Sequence, residues 1–240
     1  MTDLHTHILP GMDDGPRDLE TARHLLQLQL RQGVRRIALT SHYHPEMEPL
    51  DVFLSRREAA FEALQNICPP ELTLKKGCEV YFTPALLNMD AGQLCLEGTN
   101  VLLLELPVLQ KPAFLTEVLT TLARQGITVL IAHAERYQYV RQDPGVLARW
   151  KELGAVIQLS AGAAASDPLT RKIIQWGLGD VLASDAHSPQ HRPPDLEKGL
   201  SALDPQTARN LERNAALVFS GRQIRKRRVH VPKKVLGFWL

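Results

Sequence analysis

Two histidines one residue apart, in Asp3-Leu-His-Thr-His7, are the first residues of this 240-residue chain whose types and spacing could do chemistry. Alternate side chains of an extended strand share a face, so this spacing aims both imidazoles at one point, as metal ligation requires. Taken alone, the pair could equally be two surface histidines near a terminus. Further along, His42, Glu79, Glu105, His133, Asp185 and His187 supply more imidazole nitrogen and carboxylate oxygen. Gathering so many of these groups without cations would be costly, because like charges repel and lost hydration is not recovered. A mixed nitrogen and oxygen set suits Mn, Fe or Zn, and the lack of thiolates among the candidates argues against a structural zinc knot.

The elements that must position these residues alternate between strand and helix. Strands are expected at 3–7, 34–40, 72–80, 100–106, 127–132, 155–160 and 180–184. Helices are expected at 19–32, 52–67, 113–125, 144–153, 168–176 and 205–219, several of them stopped by glycine, as at Gly33, Gly126, Gly154 and Gly177. Seven strands separated by helices imply a mostly parallel α/β architecture, and runs such as Val101-Leu-Leu-Leu104 fit a sheet buried on both faces. The turn-rich stretch Leu9 to Pro16 reads as a loop. The polar candidates fall at or near strand ends. In a parallel sheet the C-terminal ends lie on one side, so these distant residues can converge there.

Length and composition allow one domain with a large core, since α/β barrels commonly run to about 200–250 residues. Hydrophobic residues make up 44%, aromatics 5% and charged residues 22%, as in an ordinary folded chain with an aliphatic interior. No apolar run reaches the roughly 18 residues that span a bilayer, and no leader pattern opens the chain, so a cytoplasmic location is expected. Cys68, Cys78 and Cys95 show no CxxC spacing. The positions six beyond them hold Leu74, Pro84 and Val101, so a cysteinyl-phosphate mechanism, which needs an Arg there, is not expected. Residues 221–240 contain Arg222, Arg225, Lys226, Arg227, Arg228, Lys233 and Lys234 with no acid. Removing these seven charges from the net +2 leaves the first 220 residues at −5. An acidic body lacks the basic groove that nucleic acid requires.

The chain carries the motifs Asp3-Leu-His-Thr-His7, Asp13-Asp-Gly-Pro16, Thr40-Ser-His42, Gly77-Cys-Glu-Val-Tyr81, Leu104-Glu-Leu106, Ile131-Ala-His-Ala-Glu-Arg-Tyr137, Ala183-Ser-Asp-Ala-His187 and Arg192-Pro-Pro194. Together they resemble the polymerase and histidinol phosphatase (PHP) metallohydrolases, and within them the bacterial tyrosine-protein phosphatases of capsule and exopolysaccharide loci. The resemblance covers residues 1 to about 220. It implies a distorted seven-stranded (β/α)7 TIM-like barrel, the PHP fold, over residues 1–220, followed by the basic tail 221–240. It further implies three divalent or trivalent metal ions, Mn first and Fe or Zn as alternatives. His5, His7, Glu79 and Asp185 would hold the first. Glu79 would bridge to the second, completed by Glu105 and His133. Asp14, His42 and His187 would hold the third, with Asp13 an open alternative to Asp14. The phosphate-binding arginines map onto Arg136 and Arg192.

The implied activity is phosphotyrosine hydrolysis on a protein substrate, the partner being a bacterial tyrosine autokinase with a tyrosine-rich tail. The chemistry agrees. Metals lower the pKa of water to about 7 and so supply hydroxide, and two guanidiniums neutralise the phosphoryl oxygens. Alternatives from the sequence are a small-molecule phosphatase such as a histidinol phosphatase, a proofreading-type nuclease, and a non-catalytic scaffold that binds metal and a partner. Around the site, His44 and His191 could orient substrate or be solvated loop residues, and Glu135 could fix a histidine tautomer or pair with Arg136; Tyr81 and Tyr137 could line a substrate pocket but read first as packing, and His24 reads as surface. The tail, ending in apolar Val235 to Leu240, could contact anionic membrane or a kinase.

Overall fold

The computed structural model describes residues 1–225, 229–232, 234–235 and 238–239. In chain order it begins with strand β1 (Thr2–Thr6), helix α1 (Leu19–Arg31), β2 (Arg36–Leu39), β3 (His42–Tyr43), α2 (Leu50–Gln65), β4 (Thr73–Lys76), β5 (Glu79–Tyr81) and β6 (Val101–Glu105). There follow α3 (Leu115–Arg124), β7 (Thr128–Ile131), α4 (Gln138–Gln142), α5 (Val146–Glu152), β8 (Val156–Ser160), α6 (Ala161–Ser166), α7 (Pro168–Gln175), β9 (Val181–Ala183), α8 (Leu196–Ser201) and α9 (Pro205–Phe219). A short antiparallel pair, β10 (Lys234–Val235) and β11 (Phe238–Trp239), ends the described chain.

β1 to β9 pair in parallel and form two sheets, in the orders β1-β2-β4 and β3-β5-β6-β7-β8-β9. The two sheets adjoin through chain continuity: the strand expected at 72–80 is broken at Gly77-Cys78 into β4 and β5, and past a break at Thr40-Ser41 the chain forms β3, where only a loop was expected. The break has a local cause. The amide of Glu79 is shared between the carbonyls of Thr40 (3.1 Å) and Ser41 (3.0 Å), so two residues of one strand face one of its neighbour. At the other side, residues after β9 meet the end of β1. His7 N donates to Ala186 O (2.8 Å) and Asp185 N donates to His5 O (2.9 Å).

Strand alternation sorts each sequence between two interiors. Leu102, Leu104, Val129, Ile131, Ile157 and Leu159 point outward and pack with the helices in the larger core. Val101, Leu103, Leu130, Val156, Val181 and Ala183 point to the opposite face and form a smaller core with Leu4 and Ala38, floored by Ala215, Val218 and Phe219 of α9. Each Val, Leu or Ile side chain buried in this way contributes about 1.5–3 kcal/mol. On that second face the strands turn polar toward their C-terminal ends. Glu105 continues Val101 and Leu103, Gln158 and Ser160 continue Val156, and Asp185 continues Val181 and Ala183.

The long helices follow expectation to within two residues, with Asp18, Asp167 and Asp204 as side-chain N-caps of α1, α7 and α9. The sequence reading missed α4, α6 and α8, which at five or six residues are too short to carry a periodic signal. α6 and α8 pack so closely that a Cβ on Gly199 would lie 2.6 Å from the carbonyl oxygen of Ala161. Of the tail's described residues, Gln223, Ile224, Arg225 and Val229 lie by Thr128 and Val156 at the N-terminal ends of β7 and β8, away from the polar ends. Ile224 packs on the smaller core, His230 N donates to Trp176 O (2.8 Å), and Lys172 Nζ donates to Trp239 O (3.1 Å). Lys226, Arg227, Arg228, Lys233, Leu236, Gly237 and Leu240 lie outside the described residues. Among the described residues no helix is long and apolar enough to cross a membrane.

Candidate metal centre

The polar ends of the strands bring His5, His7, His42, Glu79, Glu105, His133, Asp185 and His187 into one cluster, with Asp14 reaching it from the loop after β1. Local backbone features aim several of them. The β1–β2 register shifts between Asp3 and Thr6, a bulge directly beside His5. His133 and Asp185 adopt left-handed backbone, at φ 28° and 55°, a conformation that costs about 1–3 kcal/mol at a non-glycine residue. The loop carrying Asp13 and Asp14 closes against His7 because residue 15 is glycine, where a Cβ would sit 2.2 Å from the carbonyl oxygen of His7.

Hydrogen bonding decides which ring nitrogen of several histidines faces the centre. Gln158 Oε1 accepts from the backbone amide of His133 at 2.7 Å, so the side-chain oxygen, not its NH2, is the atom at that position. His5 Nδ1 lies 3.1 Å from this same oxygen and must therefore donate. His7 Nδ1 donates to Asp13 Oδ2 (2.7 Å), and His187 Nδ1 donates to the Asp185 carbonyl (2.9 Å). All three rings thus turn an Nε2 lone pair inward. The lone pairs of His5 and His7 meet at 3.0 Å, with Glu79 Oε2 and Asp185 Oδ1 3.1 to 3.4 Å from both. Nucleophilic atoms facing one another at this spacing need a cation among them. Glu79 Oε2, His42 Nδ1, His133 Nδ1 and His187 Nε2 are also buried without a hydrogen-bond partner among the described residues.

Three overlapping sets of donor atoms result, with the atoms of each set within 4.8 Å of one another. One is His5, His7, Glu79 and Asp185; the second is His42, Glu79 and Glu105; the third is His7, Asp14, His42 and His187. His133 borders the second, its Nε2 lying 2.9 Å from Glu79 Oε1 and 3.5 Å from Glu105 Oε1. Burial disfavours the charged forms of His5 and Glu79, but the attractions around them together outweigh it: Glu79 and Asp185 raise the histidine, and His5, His133 and His7 hold the glutamate well below the usual carboxylate range. Burial pushes Glu105 up, with the Glu79 charge adding to it. Burial and the neighbouring His7 bring His187 down to about 4, so its ring is neutral throughout the physiological range. A donor set of this composition fits divalent metal ions.

The model of the capsular polysaccharide synthesis family CpsB/CapC matches residues 1–219. The chain belongs to this family. Similar proteins include the tyrosine-protein phosphatase YwqE of Bacillus subtilis (29% identical, covering 85% of this chain and 84% of that one). The tyrosine-protein phosphatase CpsB of Streptococcus pneumoniae is 28% identical over 85% of this chain and 89% of its own. Among solved structures, one from work on YwqE and CpsB, described as unique metal-dependent tyrosine phosphatases, superposes with a TM-score of 0.87 at 26% identity, covering 97% of this chain and all of that one. A β-aspartyl dipeptidase of Fervidobacterium islandicum AW-1 shares the fold alone, with a TM-score of 0.52 at 13% identity over 93% of this chain and 74% of that one.

In this CpsB/CapC chain two arginines stand at the edge of the cluster. Arg136 Nη2 and Arg192 Nη2 both donate to Asp185 Oδ2, at 2.6 and 2.5 Å, while each side chain stays about 40% exposed to a cleft of about 540 Å³. Asp13 and Asp14, which sequence could not separate, occupy different places. Asp13 is engaged by His7, Gly15 N and His42 N, whereas Asp14 faces His42, His187 and Arg192. Of its two expected roles Glu135 takes the second: its Oε1 lies 3.9 Å from Arg136 Nε, while its Oε2 accepts from Ser160 N. Tyr137 is structural, its hydroxyl donating to Ala132 O and accepting from Leu106 N. The rings of His44 and Tyr81 lie tilted at 30° with centres 5.0 Å apart, and His24 is on the surface. Sequence reasoning missed two supports. Gln158 was visible only as a lone amide in the apolar run of β8, and Asp3, which accepts from Ser184 and Gln29 beneath the centre, was read only as part of a motif.

Proposed function

We propose that the protein is a metal-dependent phosphotyrosine protein phosphatase acting on the tyrosine-rich tail of a bacterial tyrosine autokinase that controls capsule or exopolysaccharide synthesis. The observation that carries this reading is the juxtaposition of inward-facing histidine lone pairs and carboxylates with two guanidiniums sharing Asp185 Oδ2 at the wall of an open cleft. The names borne by its relatives supply the substrate class.

In this reading His5, His7, Glu79 and Asp185 hold one metal ion, Glu79, Glu105 and His133 a second, and Asp14, His42 and His187 a third, with Mn favoured. When bound, such ions supply a nucleophilic hydroxide at neutral pH and neutralise phosphoryl charge. Asp13 and Gln158 hold the tautomers of His7 and His5. Arg136 and Arg192 grip the phosphoryl oxygens with the N–H groups they do not spend on Asp185, and stabilise the charge that develops as the phosphorus–oxygen bond breaks. The buried thiols of Cys78 and Cys95, pushed by burial up to about 12 and about 11, take no part.

We also read β1 to β9 as one distorted seven-stranded barrel spanning residues 1–220. Counting β2 with β3 and β4 with β5 leaves seven strands, and the bonds from Ala186 and Asp185 back to β1 support closure. The segment 221–240 is then a basic tail that could reach a membrane or the kinase, and a cytoplasmic location is consistent with three free cysteines. The deciding assay presents Mn-reconstituted protein with a phosphotyrosine peptide, histidinol phosphate and single-stranded DNA in parallel. Hydrolysis of the peptide well above the other two is expected. Preference for histidinol phosphate would move the assignment to a small-molecule phosphatase.

A further inference from the structure

The departing tyrosyl oxygen is a poor leaving group, with a conjugate acid of pKa about 10, and the arginines and metal ligands leave open which group protonates it. We propose that Asp195 donates that proton, acting from the wall of the same cleft in which Arg136 and Arg192 receive the phosphoryl group. The assignment rests on the phosphatase reading and adds the acid that it lacks.

Asp195 lies three residues beyond Arg192, at the entry to α8, and lines the cleft together with Arg136, Arg192, Asp185 and Ser160. Although it occupies the N-cap position, its side chain makes no hydrogen bond to the first turn of α8. Its Oδ1 is buried without a partner among the described residues. Its Oδ2 lies close over α6, where a Cβ on residue 162 would come within 2.5 Å of it. An aspartate at a helix start would ordinarily cap the helix or pair with a cation. This one does neither.

The surroundings favour a carboxyl that keeps its proton near neutrality. Burial raises it to about 7, the charges of Asp3 on β1 and Asp185 after β9 add to that, and Lys198 on its own helix opposes it. Helix α6, packed opposite, brings no charge, and Arg136 and Arg192 direct their short hydrogen bonds to Asp185. A general acid works best when its pKa lies near the operating pH. In the step, the oxygen of a hydroxide, formed by loss of a water proton to solvent, bonds to phosphorus and the phosphorus–tyrosyl oxygen bond breaks. The electron pair stays on the tyrosyl oxygen and takes the Asp195 proton, giving tyrosine, hydrogen phosphate and an aspartate that solvent reprotonates.

The test is Asp195→Asn in the Mn-loaded full chain, assayed on a phosphotyrosine peptide and on 2,4-dinitrophenyl phosphate, whose phenolate leaves without a proton. The expected result is a fall in kcat of about 10²-fold or more on the peptide and less than about threefold on the activated ester. The wild-type decline of peptide kcat above pH about 7 should flatten in the variant. Asp195→Ser, which offers α8 a cap, should show the same selective loss. Equal loss on both esters, no loss on the peptide, or recovery by the serine variant would overturn the assignment. If the wild type leaves the peptide uncleaved, the phosphatase reading fails and takes this assignment with it. If the wild type cleaves the peptide and the variant loses both esters equally, this assignment alone falls.

Discussion

Replacing Gln158 by leucine removes one oxygen that serves two partners and leaves the volume of the side chain nearly unchanged. That oxygen accepts from the His133 amide at 2.7 Å and orients His5 through Nδ1 at 3.1 Å. Without it, the His5 ring is free to turn or to carry its proton on Nε2, the nitrogen that meets His7. Losing a partner that orients a metal ligand costs about 10- to 100-fold in metal affinity, which is about 1.4–2.8 kcal/mol. The His133 amide, at a fully buried position with φ 28°, loses its acceptor as well, which costs a further 1–3 kcal/mol or so of folding stability. Titrating Mn against a competing chelator measures the first effect. Thermal unfolding of the metal-free protein measures the second, at roughly 2–4 °C for each kcal/mol. Gln158→Glu, which keeps an acceptor in place, should retain most of the affinity. If Gln158→Leu binds metal within about threefold of the wild type, Gln158 does not set the His5 tautomer and the argument for inward lone pairs fails.

Arg192→Ala should lower kcat/KM on a phosphotyrosine peptide by about 10²–10³-fold. The double variant with Arg136→Ala should lose less than the product of the single losses, because both guanidiniums hold the same oxygen of Asp185; steady-state kinetics on the four proteins give the coupling. Gly199→Val places a side chain against Ala161 and should destabilise the protein by about 1–3 kcal/mol in urea unfolding while disturbing the cleft that α6 and α8 border. Asp195 makes stability depend on pH in a defined direction. Its folded pKa of about 7 exceeds its ordinary value of 3.8, so the folded state binds the extra proton between these values and stability falls as pH rises from about 4 to about 7. After allowance for its partial exposure to solvent the contribution is of order 1–2 kcal/mol. Denaturant unfolding of Asp195→Asn across this range should show a correspondingly shallower decline than the wild type.

The alternation of apolar strands with amphipathic helices is written in local sequence, since a residue's face follows from its position in a strand or helix. The parallel α/β class and the six long helices were therefore legible. The donor residues were legible for a related reason. Imidazoles and carboxylates placed where apolar strands end make little sense singly, and they become intelligible when parallel pairing brings those ends to one side. Three kinds of information came only with tertiary structure. The breaks at Thr40-Ser41 and Gly77-Cys78 arise from an amide shared across neighbouring strands, which no single strand encodes. The short helices α4, α6 and α8 form because α6 and α8 pack on each other and α4 on the turn before it, without a periodic pattern of their own. Most of all, the division between Asp13 and Asp14 and the part played by Gln158 depend on which atom lies within hydrogen-bonding distance of which ring. Sequence alone determined the residue types that could hold a metal, because their chemistry is local. The direction in which each lone pair points was decided by tertiary structure, because it is set by partners up to 153 residues away.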